Sequence, residues 1–270
     1  SAVPNVGTFV GPSVSEAEPT VPVPTLPPIP TSAQVRDFFW STRQEWEGGT
    51  LDGLEVVAQA EGALRLTSGT VEGEYLSLPV QSPFPFMALG VCWTTSPASR
   101  GSLSFDVRLS QDGDSWGEWC SLQEDEDAPG RHGWHSTNLL LGEGRFFQYR
   151  VRFRVSSEGE SPVLTSLRVV CLDTRPGPTA AELAATYGGV SSSRPLVIPR
   201  SAWGAEEHLM FWPPEYRVPK VIILHHTGSA DTGLDPAAVV RALYYYDTVV
   251  REWGDIGYNY LIDRFGNIYE

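Results

Sequence analysis

Short runs of alternating apolar and polar residues, rich in Val, Leu, Phe, Tyr and Trp, fill residues 34–175. They are Gly53–Ala60, Ala63–Ser68, Glu74–Pro79, Phe86–Thr94, Gly101–Ser110, Gly117–Leu122, Phe146–Val155 and Ser166–Leu172, separated by Gly, Pro, Asp or Ser. A period of two puts one face of a strand in a core and the other in water. Its recurrence at roughly ten-residue spacing, with no helical period between, predicts an antiparallel β-sandwich of jelly-roll type. In Phe146–Val155 the arginines Arg150, Arg152 and Arg154 alternate with Tyr149, Val151, Phe153 and Val155, one solvated face against one core face. Asp112-Gly113 carries hairpin-turn chemistry, because Gly accepts positive φ.

The flanks have other patterns. Residues 1–33 include Pro19-Thr20-Val21-Pro22-Val23-Pro24-Thr25-Leu26-Pro27-Pro28-Ile29-Pro30, a stretch that fixes φ and removes donors. It predicts an extended tail, either a stiff linker or a strap lying on the body or on a neighbouring protein. Residues 176–195 read as a linker, with Pro176-Gly177-Pro178 at one end, Ser191-Ser192-Ser193 near the other and a weak helix pattern over Ala180–Tyr187. In residues 196–270 the order is β-α-β-β, which predicts an α/β unit. Val218–Leu224 is an apolar run expected to be a buried strand. Asp235-Pro236 is an N-cap with Pro at the first helical position. The helix that follows is expected to reach about Trp253, with Val239, Val240, Leu243, Tyr246 and Val250 on one side. Tyr258–Asp263 and Asn267–Tyr269 complete it as a hairpin around Phe265-Gly266.

Composition narrows the function classes. The net charge is −14, so a phosphate backbone repels the chain and nucleic acid is not an expected partner. No apolar run reaches the roughly 18–20 residues that span a bilayer. Starting at Ser1 without methionine, the sequence is expected to have lost an export leader or to be a trimmed piece. Cys92, Cys120 and Cys171 form no ligand cluster and sit in strand-like runs. They read as buried inert thiols, with one intrachain disulfide as the alternative.

Three motifs carry a resemblance. They are Ile198-Pro199-Arg200-Ser201-Ala202-Trp203-Gly204-Ala205, Val221-Ile222-Ile223-Leu224-His225-His226-Thr227, and Trp253-Gly254-Asp255-Ile256-Gly257-Tyr258-Asn259-Tyr260-Leu261-Ile262-Asp263. In this order the segment resembles the zinc N-acetylmuramoyl-L-alanine amidases of the amidase-2 type, which include peptidoglycan recognition proteins. The resemblance implies cleavage of the amide between the lactyl group of N-acetylmuramic acid and L-alanine, a zinc ligand at His225 and a catalytic role for Tyr258. Neutral imidazole is a good zinc ligand, zinc acidifies a bound water, and a phenol can orient it or donate to the developing oxyanion. The family takes two further zinc ligands, a second His and then a Cys or Asp, downstream of the tyrosine. After Tyr258 this chain has neither His nor Cys. Residues 196–270 therefore read as the N-terminal part of an amidase-2 domain, with zinc expected in the intact parent and this chain expected to be inactive. His226 alternates with His225 along the expected strand and reads as structural. Asp247 stands where relatives commonly have His, and Glu252 where they commonly have Gly.

Other candidates have bland readings beside sharper ones. His132 and His135 read as a solvated loop, with a metal site as the alternative. Glu124-Asp125-Glu126-Asp127 reads as a solvated charge run, with calcium as the alternative. Tyr244-Tyr245-Tyr246 reads as helix packing. Trp93, Trp116, Trp119 and Trp134 read as core and hairpin packing, with a carbohydrate-stacking face as the alternative. The expectation is a secreted or cell-envelope protein with peptidoglycan as its partner. The alternative is a non-catalytic envelope assembly or peptidoglycan-binding subunit, whose neighbours touch the Pro-rich tail and the α/β part.

Overall fold

The structure, a computed structural model, describes residues 33–59, 61–97, 101–125, 133–155, 161–188, 190–191, 194–230 and 232–270. The tail expected over 1–33 lies outside them except for Ala33, as do Glu126, Asp127 and His132.

Eleven strands form one hydrogen-bonded network: β1 (Gln34–Trp40), β2 (Thr50–Asp52), β3 (Leu54–Val57), β4 (Ala63–Leu66), β5 (Glu72–Leu76), β6 (Val80–Thr95), β7 (Ser102–Ser110), β8 (Cys120–Leu122), β9 (His135–Ser136), β10 (Leu140–Arg154) and β11 (Leu164–Asp173). Every pairing is antiparallel, as the alternation requires. The long strands β6 and β10 do the joining. The first half of β10 pairs with β6 and its second half with β7 and β5, with register shifts around Gly144. Such bulges bend a strand and let it serve two layers. The main core between the layers holds Trp46, Tyr75, Phe86, Trp93, Phe105, Phe147, Tyr149, Val151 and Phe153. The β10 alternation holds: Tyr149, Val151 and Phe153 are buried in the core, while Arg150 and Arg152 on the other face cover and pair with Asp106.

Four features of the sandwich lie beyond the sequence pattern: β1, β2, the two-residue β9, and a one-turn helix α1 (Arg43–Glu47) closed by a Thr42/Glu45 capping box. Cys92 and Cys171 sit on adjacent strands but face opposite sides. Cys92 lies in a second cluster under a helix and Cys171 in the main core, so they cannot bridge. All three cysteines are free thiols, and Cys120 is exposed.

Downstream come α2 (Ala180–Tyr187), started by a Thr179/Glu182 capping box, and the pair β12 (Val190–Ser191) and β13 (Arg194–Pro195). Next are β14 (Val197–Ile198), α3 (Arg200–Trp203) and α4 (Pro236–Tyr245), then β15 (Leu261–Ile262) and β16 (Ile268–Tyr269). The strands β14, β16 and β15 form a small sheet, mixed parallel and antiparallel.

Of the α/β unit expected over 196–270, the helix and the C-terminal hairpin form and the first strand does not, so the α/β amidase fold is not supported. That strand, Val218–Leu224, is irregular, and Val221, Ile222, Ile223 and Leu224 are 73–92% exposed. A strand exists only through hydrogen bonds to a neighbour. Among the described residues none lies alongside this run, so its apolar side chains face water. His225 accordingly follows an irregular, exposed segment, not the end of a buried strand.

Candidate functional site

Helix α4 is the scaffold of the site. The Asp235 carboxylate accepts from the backbone N–H of Ala237 and Ala238 at 3.1 and 3.2 Å, and also from Ala180 N–H at the start of α2. One side of α4 packs Ala242, Leu243, Tyr246 and Val250 onto Ala88, Cys92, Leu139, Leu141, Val170 and Leu172 of the sandwich. The other packs Ala237, Val240 and Tyr244 onto Ala180, Leu183, Ile198, Trp203 and Tyr269. Tyr246 is fully buried against Gly90 of β6. A Cβ at that glycine would stand 2.2 Å from the Tyr246 ring.

The last turn widens into a π-helix over Tyr246–Val250. Beyond it, Glu252 takes φ 58° and Gly254 φ 95°, and the chain doubles back. This brings Arg251 to a buried junction with the sandwich. Its guanidinium is 2.9 Å from Asp125 Oδ2 and 3.3 Å from Asp247 Oδ1, and donates to Thr137 O at 2.8 Å. The rings of Tyr246 and Trp253 lie at 4.7 and 4.6 Å from it. Burial pushes the Asp247 carboxyl up to about 6, against the opposing pull of Arg251 and of Gly257 N–H. Asp247 Oδ2 accepts from Gly257 N–H at 3.2 Å, and Asp247 O accepts from Trp253 N–H at 3.0 Å. Asp247 therefore ties the helix to the turn that ends in Tyr258.

His225 and Tyr258, 33 positions apart in the chain, meet at the surface with ring centroids 5.3 Å apart at an interplanar angle of 37°. His225 is exposed and Tyr258 half-buried. His225 Nδ1 lies 2.9 Å from His226 O. A carbonyl oxygen only accepts, so Nδ1 carries a proton, and in the neutral imidazole Nε2 is the acceptor. The neighbouring imidazole has the opposite arrangement: His226 Nδ1 accepts from Gly228 N–H at 3.0 Å and closes the turn. Burial raises the Tyr258 phenol, and Asp247 and Asp125 add to that, so it is a neutral O–H donor at neutral pH.

A catalytic zinc needs three protein ligands and an open position. Among the described residues no three His, Cys, Asp or Glu side chains gather around one point, so they do not form that site. His225 offers one nitrogen. Asp263 is occupied by the backbone N–H groups of Phe265 and Asn267 and by the Tyr269 hydroxyl, and Glu270 accepts from Arg200 N–H.

The other candidates disperse. Trp93 is buried between Phe105 at 4.3 Å and the stacked His135 at 5.4 Å. Trp134 packs on the cluster under α4, and Trp116 and Trp119 lie over Arg108 on the outer face of β7. The four tryptophans share no single face. His135 pairs with Glu124 at 2.8 Å. Tyr244 and Tyr246 donate to Glu206 O and Thr137 O, as helix packing expects. Sequence reasoning missed the junction of Asp125, Thr137 and Arg251. Its one legible trace was the i,i+4 spacing of Asp247 and Arg251.

No family model matches the chain. Over 80 residues it is 39% identical to human Peptidoglycan recognition protein 3, a match covering 28% of this chain and 22% of that protein. The chain thus spans about a fifth of that relative's length. Among solved structures, the C-terminal CBM6 of LamC from Zobellia galactanivorans aligns at 10% identity and TM-score 0.30, over 50% of this chain and 98% of that one. CBM35 from Paenibacillus barcinonensis aligns at 12% identity and TM-score 0.30, over 49% and 97%. Likeness at that level carries over neither ligand nor activity. Among the described residues no helix is long and apolar enough to cross a membrane.

Proposed function

We propose that the chain recognises peptidoglycan in the cell envelope, at the junction of muramic acid and stem peptide, through His225 and Tyr258. The observation that carries this is their ring-to-ring meeting at an exposed surface, since the motif resemblance selects the same two residues independently. The 39% identity to Peptidoglycan recognition protein 3 supports it. The pair offers an acceptor at His225 Nε2 and a donor at the Tyr258 hydroxyl. The lactyl-peptide junction is rich in amides and presents both complementary groups. The proposal is confined to recognition, for which these two residues suffice. Amide cleavage by the zinc chemistry of the amidases belongs to a protein that supplies the remaining ligands.

The test is co-sedimentation with purified insoluble peptidoglycan, together with calorimetric titration of muramyl-dipeptide. His225→Ala and Tyr258→Phe should each weaken binding about tenfold, the loss of roughly 1.4 kcal/mol. Release of stem peptide from the wall should stay at background with zinc added. Unchanged affinity in both variants refutes the assignment.

A further inference from the structure

The loops that carry His225 and Tyr258 both rest on one short stretch of the sandwich, and we infer that this ledge, Asp125 with Thr137–Leu139, positions the pair. The inference rests on reading His225 and Tyr258 as the functional pair.

The ledge is rigid for a local reason. Thr137 N–H donates to Val91 O at 2.9 Å, and Val91 N–H donates back to Thr137 Oγ1 at 3.3 Å. On the other side, Asn138 N–H donates to Gln123 O and Asp125 N–H to Ser136 O, both at 2.9 Å. The stretch is thus stitched between β6 and the chain entering Asp125, and Thr137 is fully buried.

Two arms leave it. The first runs from Asp125 Oδ2 and Thr137 O to the Arg251 guanidinium, on to Asp247, and from Asp247 Oδ2 to Gly257 N–H, one residue before Tyr258. Every link is buried or half-buried, where a misplaced charge is costly, so the geometry is held tightly. The second arm is steric. Gly228 takes φ +74° and presses on Asn138, where a Cβ would stand 2.6 Å from Asn138 Nδ2. The Ser229 hydroxyl donates to Leu139 O at 3.4 Å. These contacts fix the turn that His226 closes, three residues past His225. Upstream, the backbone of residues 218–224 finds no hydrogen-bond partner among the described residues, so the ledge is the anchor that they provide for His225. A binding site built from two loops needs a common support to hold its spacing. Here the sandwich is that support.

The test reads the pair directly. The Tyr258 ring current shifts the His225 imidazole protons in a proton–carbon NMR spectrum, with assignment by His225→Ala. Asp125→Ala, Arg251→Lys and Asn138→Ala should each move those resonances toward their positions in Tyr258→Ala, and weaken muramyl-dipeptide binding several-fold. Asp125→Asn keeps an acceptor oxygen for Arg251 and should restore most of both signals. Val240→Ala removes packing from the other side of the same helix, in a cluster that holds no ledge residue. Below its melting temperature it should leave the His225 resonances in place. Resonances unmoved in folded Arg251→Lys and Asn138→Ala overturn the inference; Asn138→Ala reports even if the buried variants do not fold. Resonances that move while wall binding stays intact, in Tyr258→Ala as well, uphold the ledge and overturn the functional reading of the pair.

Discussion

Gly90→Ala tests the weld between the sandwich and α4 by a single methyl group. The added Cβ would sit 2.2 Å from Tyr246 Cε2, 2.7 Å from Cζ and 2.8 Å from the hydroxyl oxygen. Non-bonded carbons rest at about 3.5–4.0 Å, so the ring must retreat by about 1.5 Å. Neither partner yields easily. Gly90 is central on β6, paired with Val170 of β11, and Tyr246 is fully buried with its hydroxyl on Thr137 O at 2.9 Å. Overpacking of this kind costs about 1–3 kcal/mol, and straining the buried hydrogen bond adds about 1 kcal/mol. Lower chain entropy in the unfolded state returns about 0.4–1 kcal/mol. The expected net loss is about 2–3 kcal/mol. With a urea m-value of about 3 kcal/mol/M, the midpoint falls by just under about 1 M. The decisive assay is the double-mutant cycle. In a Tyr246→Ala background the pit is empty, and Gly90→Ala should cost nothing measurable or stabilise slightly. Equal destabilisation in both backgrounds would mean that the ring and the strand do not meet as described.

Other outcomes follow from the same geometry. Glu252 sits at φ 58°, a conformation costing a non-glycine residue about 1 kcal/mol, so Glu252→Gly should raise the unfolding free energy by about that amount in denaturant melts. Asp247 holds its proton in the folded protein up to about pH 6, while the unfolded carboxyl loses it near 3.8. The folded state binds more protons in that window, so this group's stabilisation is full below it and is lost as pH rises through it. Asp247→Asn should remove that slope from a stability-against-pH series. A thiol reagent should label Cys120 at once and Cys92 and Cys171 only in denaturant, read by intact mass, because burial holds both of the latter as thiols.

Sequence alone determined what is local. The alternation of Arg150 and Arg152 with Tyr149, Val151 and Phe153 is a property of neighbours in the chain, and it fixed the faces of β10. The Asp235-Pro236 start of α4 is equally local, because a cap acts within one turn. Tertiary structure decided what needs a distant partner. Val218–Leu224 has strand composition, yet a strand is made by the backbone beside it, and there the described chain supplies none. Gln34–Trp40 has a broken pattern, with Asp37 and Phe39 out of step, and becomes β1 because β11 offers a full ladder and Arg168 meets Asp37 at 2.8 Å. Arg251 stands beside no residue in the sequence that marks it for burial. Folding buries it against Asp125 and Thr137, more than a hundred positions away. Local periodicity reports which side of an element avoids water. Which charge is desolvated, and by what, depends on a long-range contact that no window along the chain contains.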